Sequence, residues 1–191
     1  MGSIRSVTVN FPLIGEHLAL DLLNTRPADG DLIAEPDGLA GWLAEEAGRL
    51  GPVAGGVGEA EVVAVVAVRE AARAALAAVR GGERPPVDAL RVLNAALAGA
   101  PAHRELDWTA GSGLTADRVR PTVDPAARLA AELAEAVTEL LTGPRVGEVR
   151  ECEGAECVLL FLPAHPRRRW CVAGACGNRA RVARYYARRR A

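Results

Sequence analysis

The chain of 191 residues is half apolar and one quarter charged, a balance that excludes intrinsic disorder and suffices for one ordinary domain plus a small appendage. No uncharged apolar run reaches the about 18 residues of a membrane span. The net charge of −1 conceals a division: residues 145–191 carry 11 Arg and 4 Glu, whereas residues 1–144 carry 12 Arg against 20 Asp and Glu.

Taken in chain order, the start "SIRSVTVNFPLIG" alternates enough to predict a strand or extended arm. Glu16 and His17 interrupt the apolar stretch that follows, so no secretory signal is expected and the protein is expected in the cytoplasm. Leu18, Leu22 and Leu23 fit a short helix, and "ADGDLIAEPDG" fits a loop. Asp37 is placed to cap a helix carrying Leu39, Trp42, Leu43 and Leu50, with Gly48 and Gly51 marking its end. A Gly-rich connector precedes a long Ala/Val helix from Glu59 to about Arg80, apolar on most faces and so the expected central helix. A further helix is predicted from Val87 to Leu97, then a β-hairpin on either side of Gly111-Ser112-Gly113. Asp124-Pro125 supplies an N-cap and first-turn proline for a helix with Leu129, Leu133, Val137, Leu140 and Leu141. Thr142-Gly143-Pro144 stops it and marks the boundary between residues 1–144 and 145–191.

All four cysteines follow that boundary, as Cys152-x4-Cys157-x13-Cys171-x4-Cys176. Two short loops that each supply a thiolate pair are a simple route to a tetrahedral, closed and therefore structural zinc site, with Zn2+ as the expected cofactor. Disulfides are not expected in a cytoplasmic chain. Between the pairs, "VLLFLPAHPRRRW" predicts two strands around a turn at Pro163 to Pro166. His165 in that turn is not needed as a ligand.

Residues 179–190 predict a helix with Ala180, Ala183 and Ala187 on the narrow face toward the hairpin. The candidate DNA contacts are Arg179, Arg181, Arg184, Arg188 and Arg189 on this helix and Arg167, Arg168 and Arg169 on the hairpin. The helix has no acidic i,i+4 partners to neutralise them. Arg suits this work, because its planar fork matches phosphates and guanine edges. About six phosphate contacts would give a slope of log K on log salt near −5.

The stretch "WCVAGACGNRARVARYYARRR" resembles the CGNR zinc finger, named for the tetrapeptide that here is Cys176-Gly177-Asn178-Arg179. The upstream "CEGAECVLLF" fits as well, although "LPAHP" at 162–166 departs from the family's usual pattern. "LALDLLNT" and the "LAGWL" helix are similar to the ABATE domain that commonly precedes this finger in bacteria. The resemblance implies a bacterial, stress-induced transcription regulator with zinc on the four cysteines and DNA on the finger. It also suggests sensing by the N-terminal domain, which makes Asp21, Asn24, Thr25 and Arg26 candidate small-molecule contacts, with helix-end capping as their structural alternative.

The expected fold is α+β: a mainly helical domain with a few strands, followed by a small zinc-binding β-hairpin and helix. The expected function is zinc-dependent DNA binding by a regulator that could pair as a homodimer. A zinc-stapled module that binds RNA or docks a protein is the first alternative, and an enzyme with a site in the N-terminal domain is the second. No enzymatic activity is expected, since the acidic residues are scattered and the three histidines have no identifiable catalytic partners.

Overall fold

The computed structural model describes residues 11–13 and 16–190, with the side chains of Arg184, Tyr186, Ala187, Arg188 and Arg190 left out. The extended arm predicted at the N-terminus lies largely outside the described residues.

Six helices and two small antiparallel sheets are present among the described residues. Helices α1 (Leu18–Leu23), α2 (Pro36–Glu45), α3 (Glu59–Arg80), α4 (Val87–Gly99) and α5 (Pro125–Thr142) make the N-terminal bundle. Strands β1 (His103–Thr109) and β2 (Gly113–Val119) form a hairpin between α4 and α5. A 3-10 turn (Val146–Glu148), strands β3 (Arg150–Glu151) and β4 (Leu160–Phe161), a π-helical turn (Ala173–Gly177) and α6 (Asn178–Arg190) complete the chain. No described helix is long and apolar enough to cross a membrane.

The central helix is α3, which packs against α1, α2, α4 and α5. Its start is fixed by Glu61, whose carboxylate accepts the Gly58 N–H at 2.8 Å. Glu59 and Glu61 also oppose the positive end of the helix dipole. Val62, Val65, Val68, Ala72, Ala75 and Leu76 are buried, and the small alanines let α5 approach closely. On α5, Asp124 caps the Ala126 N–H at 3.1 Å with Pro125 in the first turn, as the sequence predicts. Leu129, Leu133, Val137 and Leu140 face the core, while Leu141 is only partly buried.

Three expectations are corrected. The α2 N-cap is Glu35 rather than Asp37, because Pro36 has no N–H to be capped and enters the helix as its first residue. Helix α2 ends at Glu45, before Gly48, where the buried Glu46 turns inward and pairs with the exposed Arg49. The predicted strand pair between the two cysteine pairs is also rearranged. Strand β4 pairs with β3, upstream of Cys152, in the register Arg150↔Phe161 and Glu151↔Leu160. The hairpin thus encloses the first cysteine loop, and Pro163 and Pro166, lacking N–H donors, lead the chain away from the ladder.

The C-terminal segment shares the bundle's core. Val149 and Leu160 are buried in the same apolar cluster as α1, α3 and α5, with Leu162 against it. A second, smaller cluster joins Cys152, Phe161, Cys171 and Cys176.

Candidate metal centre and nucleic-acid interface

The first cysteine loop is shaped by backbone bonds. Cys152 donates its N–H to Leu159 O at 2.9 Å, and the Cys157 N–H reaches Gly154 O at 3.1 Å. Within this turn Glu156 sits at φ 61°, a conformation that glycine adopts more easily. The second loop closes through the π-helical turn, where Ala175 and Gly177 both donate to Val172 O at 3.3 Å. Glu153 N–H to Arg169 O at 3.0 Å ties the two halves together.

These loops bring Cys152, Cys157, Cys171 and Cys176 into one group with all four Sγ atoms within 4.8 Å of one another. It is the one such cluster of metal-ligating side chains among the described residues. Cys157 and Cys171 lie 3.8 Å apart and Cys171 and Cys176 3.6 Å apart. Those spacings are far too long for a disulfide. They match the edge of about 3.8 Å that a tetrahedron of thiolates has around a metal with bonds of about 2.3 Å. Three of the cysteines are buried, and Cys157 is partly exposed.

The donor set supports the same reading. Cys152 Sγ faces the N–H groups of Gly154 at 3.4 Å and Cys171 at 3.3 Å. Burial and the neighbouring sulfurs push the Cys171 thiol up, and burial does the same to Cys157. For Cys176 burial also opposes ionisation, but Arg179, donating to its sulfur at 3.0 Å, helps pull that thiol below its ordinary range. A cation between the sulfurs would favour the thiolates that burial opposes at Cys157 and Cys171. Gly154 is closely packed: a Cβ there would lie 3.0 Å from Cys176 Cβ and 3.2 Å from its sulfur.

The structure divides the predicted arginines by what they touch. Arg168 stacks on the Phe161 ring at 4.5 Å, binds Glu16 at 2.8 Å, and donates to the carbonyls of Trp170 and Cys171 at 3.2 and 2.6 Å. Arg169 binds Glu153 at 2.6 Å and lies over Trp170. Arg179 is spent on Cys176. These three hold the centre together, whereas Arg167 donates its backbone N–H to His165 Nδ1 at 3.1 Å and its guanidinium has no partner among the described residues. Arg181 reaches only Asn178, at 3.0 Å, and Arg189 stacks on Tyr185 at 4.7 Å. The side chains of Arg184 and Arg188 lie outside those described. Among the described residues α6 packs on the π-helical turn and on no other element, so its length projects from the molecule. Ala183 is correspondingly exposed with Val182, rather than pressed against the hairpin as its spacing suggests.

The N-terminal candidates have internal partners. Asn24 accepts the Leu160 N–H at 2.8 Å and donates to its C=O at 2.9 Å, pairing with β4 as a strand would. Thr25 donates to Leu22 O at 2.7 Å and accepts from Arg69 at 3.1 Å. Arg69, itself buried, binds Asp31 through both of its terminal nitrogens, at 2.7 and 2.5 Å. Asp21 binds Arg49 at 2.5 Å, and Arg26 binds Glu70 at 2.9 Å. Arg49 also lines a cavity of about 320 Å3, walled by Arg118, Arg120, Arg128, Glu132 and Glu135. No local pattern signals Glu16, whose carboxylate receives both Arg168 at 2.8 Å and the Leu162 N–H at 2.9 Å.

Comparison with known proteins agrees with this geometry. Residues 16–144 match the ABATE family model, described as "Putative stress-induced transcription regulator", and residues 148–189 match the CGNR zinc finger model. No curated protein matches the chain. With two thirds of its length inside the first model and the four-cysteine finger inside the second, the chain belongs to the ABATE family and carries a C-terminal CGNR zinc finger.

Proposed function

We propose that the protein is a cytoplasmic, non-enzymatic transcription regulator that holds Zn2+ on Cys152, Cys157, Cys171 and Cys176 and meets duplex DNA with α6. The observation that carries this reading is the division of the arginines. One set is spent on the metal centre and its mount, while Arg167, Arg181 and Arg189 face outward on or beside a projecting helix without acidic partners. A four-thiolate set with no open position favours zinc in a structural role, which stiffens the base from which α6 extends. Phosphate binding by the outward arginines supplies affinity and register, and base reading falls to whichever of them enters the groove.

Fluorescence anisotropy on a random duplex tests the reading. With Arg167, Arg181, Arg184, Arg188 and Arg189 on phosphates, log K should fall with log salt at a slope of about −4.5. Changing Arg181, Arg184 and Arg188 together to Ala should reduce that slope by about 2.7 and weaken binding at least about tenfold. A slope near zero, or unchanged binding by the triple variant, would overturn the assignment of α6. Stronger binding to structured RNA in competition would assign α6 to RNA instead of DNA.

A further inference from the structure

The β1–β2 hairpin is not accounted for by either the metal centre or α6. No other element packs on it backbone to backbone among the described residues, the ion pair of Arg118 with Glu135 ties its base to α5, and every residue of β1 is exposed. A two-stranded ribbon alone in water is marginal and becomes stable when a further apolar surface covers it. The register pairs Leu106 with Ala116 and Trp108 with Leu114. Paired residues share a face, so Leu106, Trp108, Leu114 and Ala116 lie together on one side. The first three are 72%, 72% and 66% exposed.

From this geometry we propose that the hairpin is a dimerisation element, whose apolar face packs against the same face of a second copy of the chain. It goes beyond the DNA-binding reading and does not depend on it.

The area is what such a pairing requires. The three large side chains expose roughly 400 Å2 of apolar surface, at the upper end of what the largest patch of a monomer shows. Two copies face to face would bury roughly 800 Å2 from these residues alone. With the alanine, the turn and the stem of Arg104 the contact approaches the roughly 1,200 Å2 at which stable interfaces begin.

Charge selects both the occupant and the face. Of the hairpin's own residues the apolar side holds Arg104 and Arg118 at its base, Arg118 paired with Glu135 of α5, and no acid, while Glu105, Asp107 and Asp117 occupy the opposite side. That acidic side is repelled by DNA. Edge-to-edge pairing of two β1 strands about Leu106 would set Glu105 opposite Asp107 of the other copy, an unfavourable like-charge pair. Face-to-face packing leaves every acid of the hairpin in water, and an isologous contact needs only one self-complementary patch.

Sedimentation equilibrium of the full zinc-loaded chain, from about 1 to about 100 µM, reads the outcome in the range where interfaces of this class associate. The expected mass at the upper end is twice the 20.0 kDa of the chain. Trp108→Ser combined with Leu114→Ser should halve it with unchanged far-ultraviolet circular dichroism. Asp107→Lys, on the opposite side, should leave the dimer intact. A wild-type monomer at the highest concentration, or a dimer that survives the double substitution, would overturn the proposal. Loss of the dimer in Asp107→Lys would overturn the assignment of the face.

Discussion

At the scale of single residues, the buried polar groups of the N-terminal bundle are occupied in holding structure. Arg69 is fully buried and needs a charged partner, which Asp31 provides. The Arg69 guanidinium hydrogen bond outweighs the opposing effect of burial and holds the Asp31 carboxyl below the usual range. An acid with a depressed folded pKa stabilises the fold above its unfolded value and loses that contribution as pH falls through the folded one. Asp31→Asn should therefore cost about 2–3 kcal/mol at neutral pH. The deficit relative to wild type should shrink below about pH 4 in urea titrations. An equal deficit at both pH values would contradict a charge-based role. Asn24 shows why such residues resist reading from sequence. An Asn after a short helix looks like a cap, but its amide pairs with Leu160, 136 positions away. Nothing local signals that partner.

At the scale of elements, legibility followed the local rules. The span of α3 from Glu59 to Arg80 and the cap of α5 by Asp124 and Pro125 were readable, whereas the Glu61 carboxylate that accepts the Gly58 N–H was not singled out. The β1–β2 hairpin was readable from its glycines. The β3–β4 pairing was misplaced because two residues per strand carry no alternation, and the ladder is set by the cysteine loop and by Asn24. The spacing of the cysteines was sufficient to identify the metal site, but not to sort Arg168, Arg169 and Arg179 from Arg167 and Arg181. For Arg168 and Arg169 that division depends on Glu16 and Glu153, which tertiary folding brings to them, and for Arg179 on Cys176 one turn earlier. The loop itself makes a sharp prediction. Gly154→Ala puts a methyl against Cys176 and should lower zinc affinity at least about tenfold in chelator competition, as loss of supporting geometry commonly does. Gly147→Ala, which meets nothing within 4 Å, should have no effect. Equal affinities in the two variants would show that the loop relaxes around the added atom.

At the scale of the whole molecule, the finger is built into the bundle. Leu160 and Val149 lie in the helical core, Asn24 extends β4, and Glu16 receives Arg168. A metal centre mounted this way fixes α6 relative to α1 and α3, so the outward arginines point in a defined direction from the N-terminal domain. Any change in that domain that moves Asn24 or Glu16 would bear on the base of the proposed reading helix. A face-to-face hairpin would place two such helices on one symmetric particle, the arrangement that reads paired half-sites.

The measurement that tests this account most directly is selection from random duplex DNA by the zinc-loaded protein, beside the variant with Arg181, Arg184 and Arg188 changed to Ala. The account predicts enrichment of one motif by the wild type and its loss in the variant. The same motif enriched by both proteins, or salt-sensitive retention with no motif at all, would contradict a sequence reader built on α6.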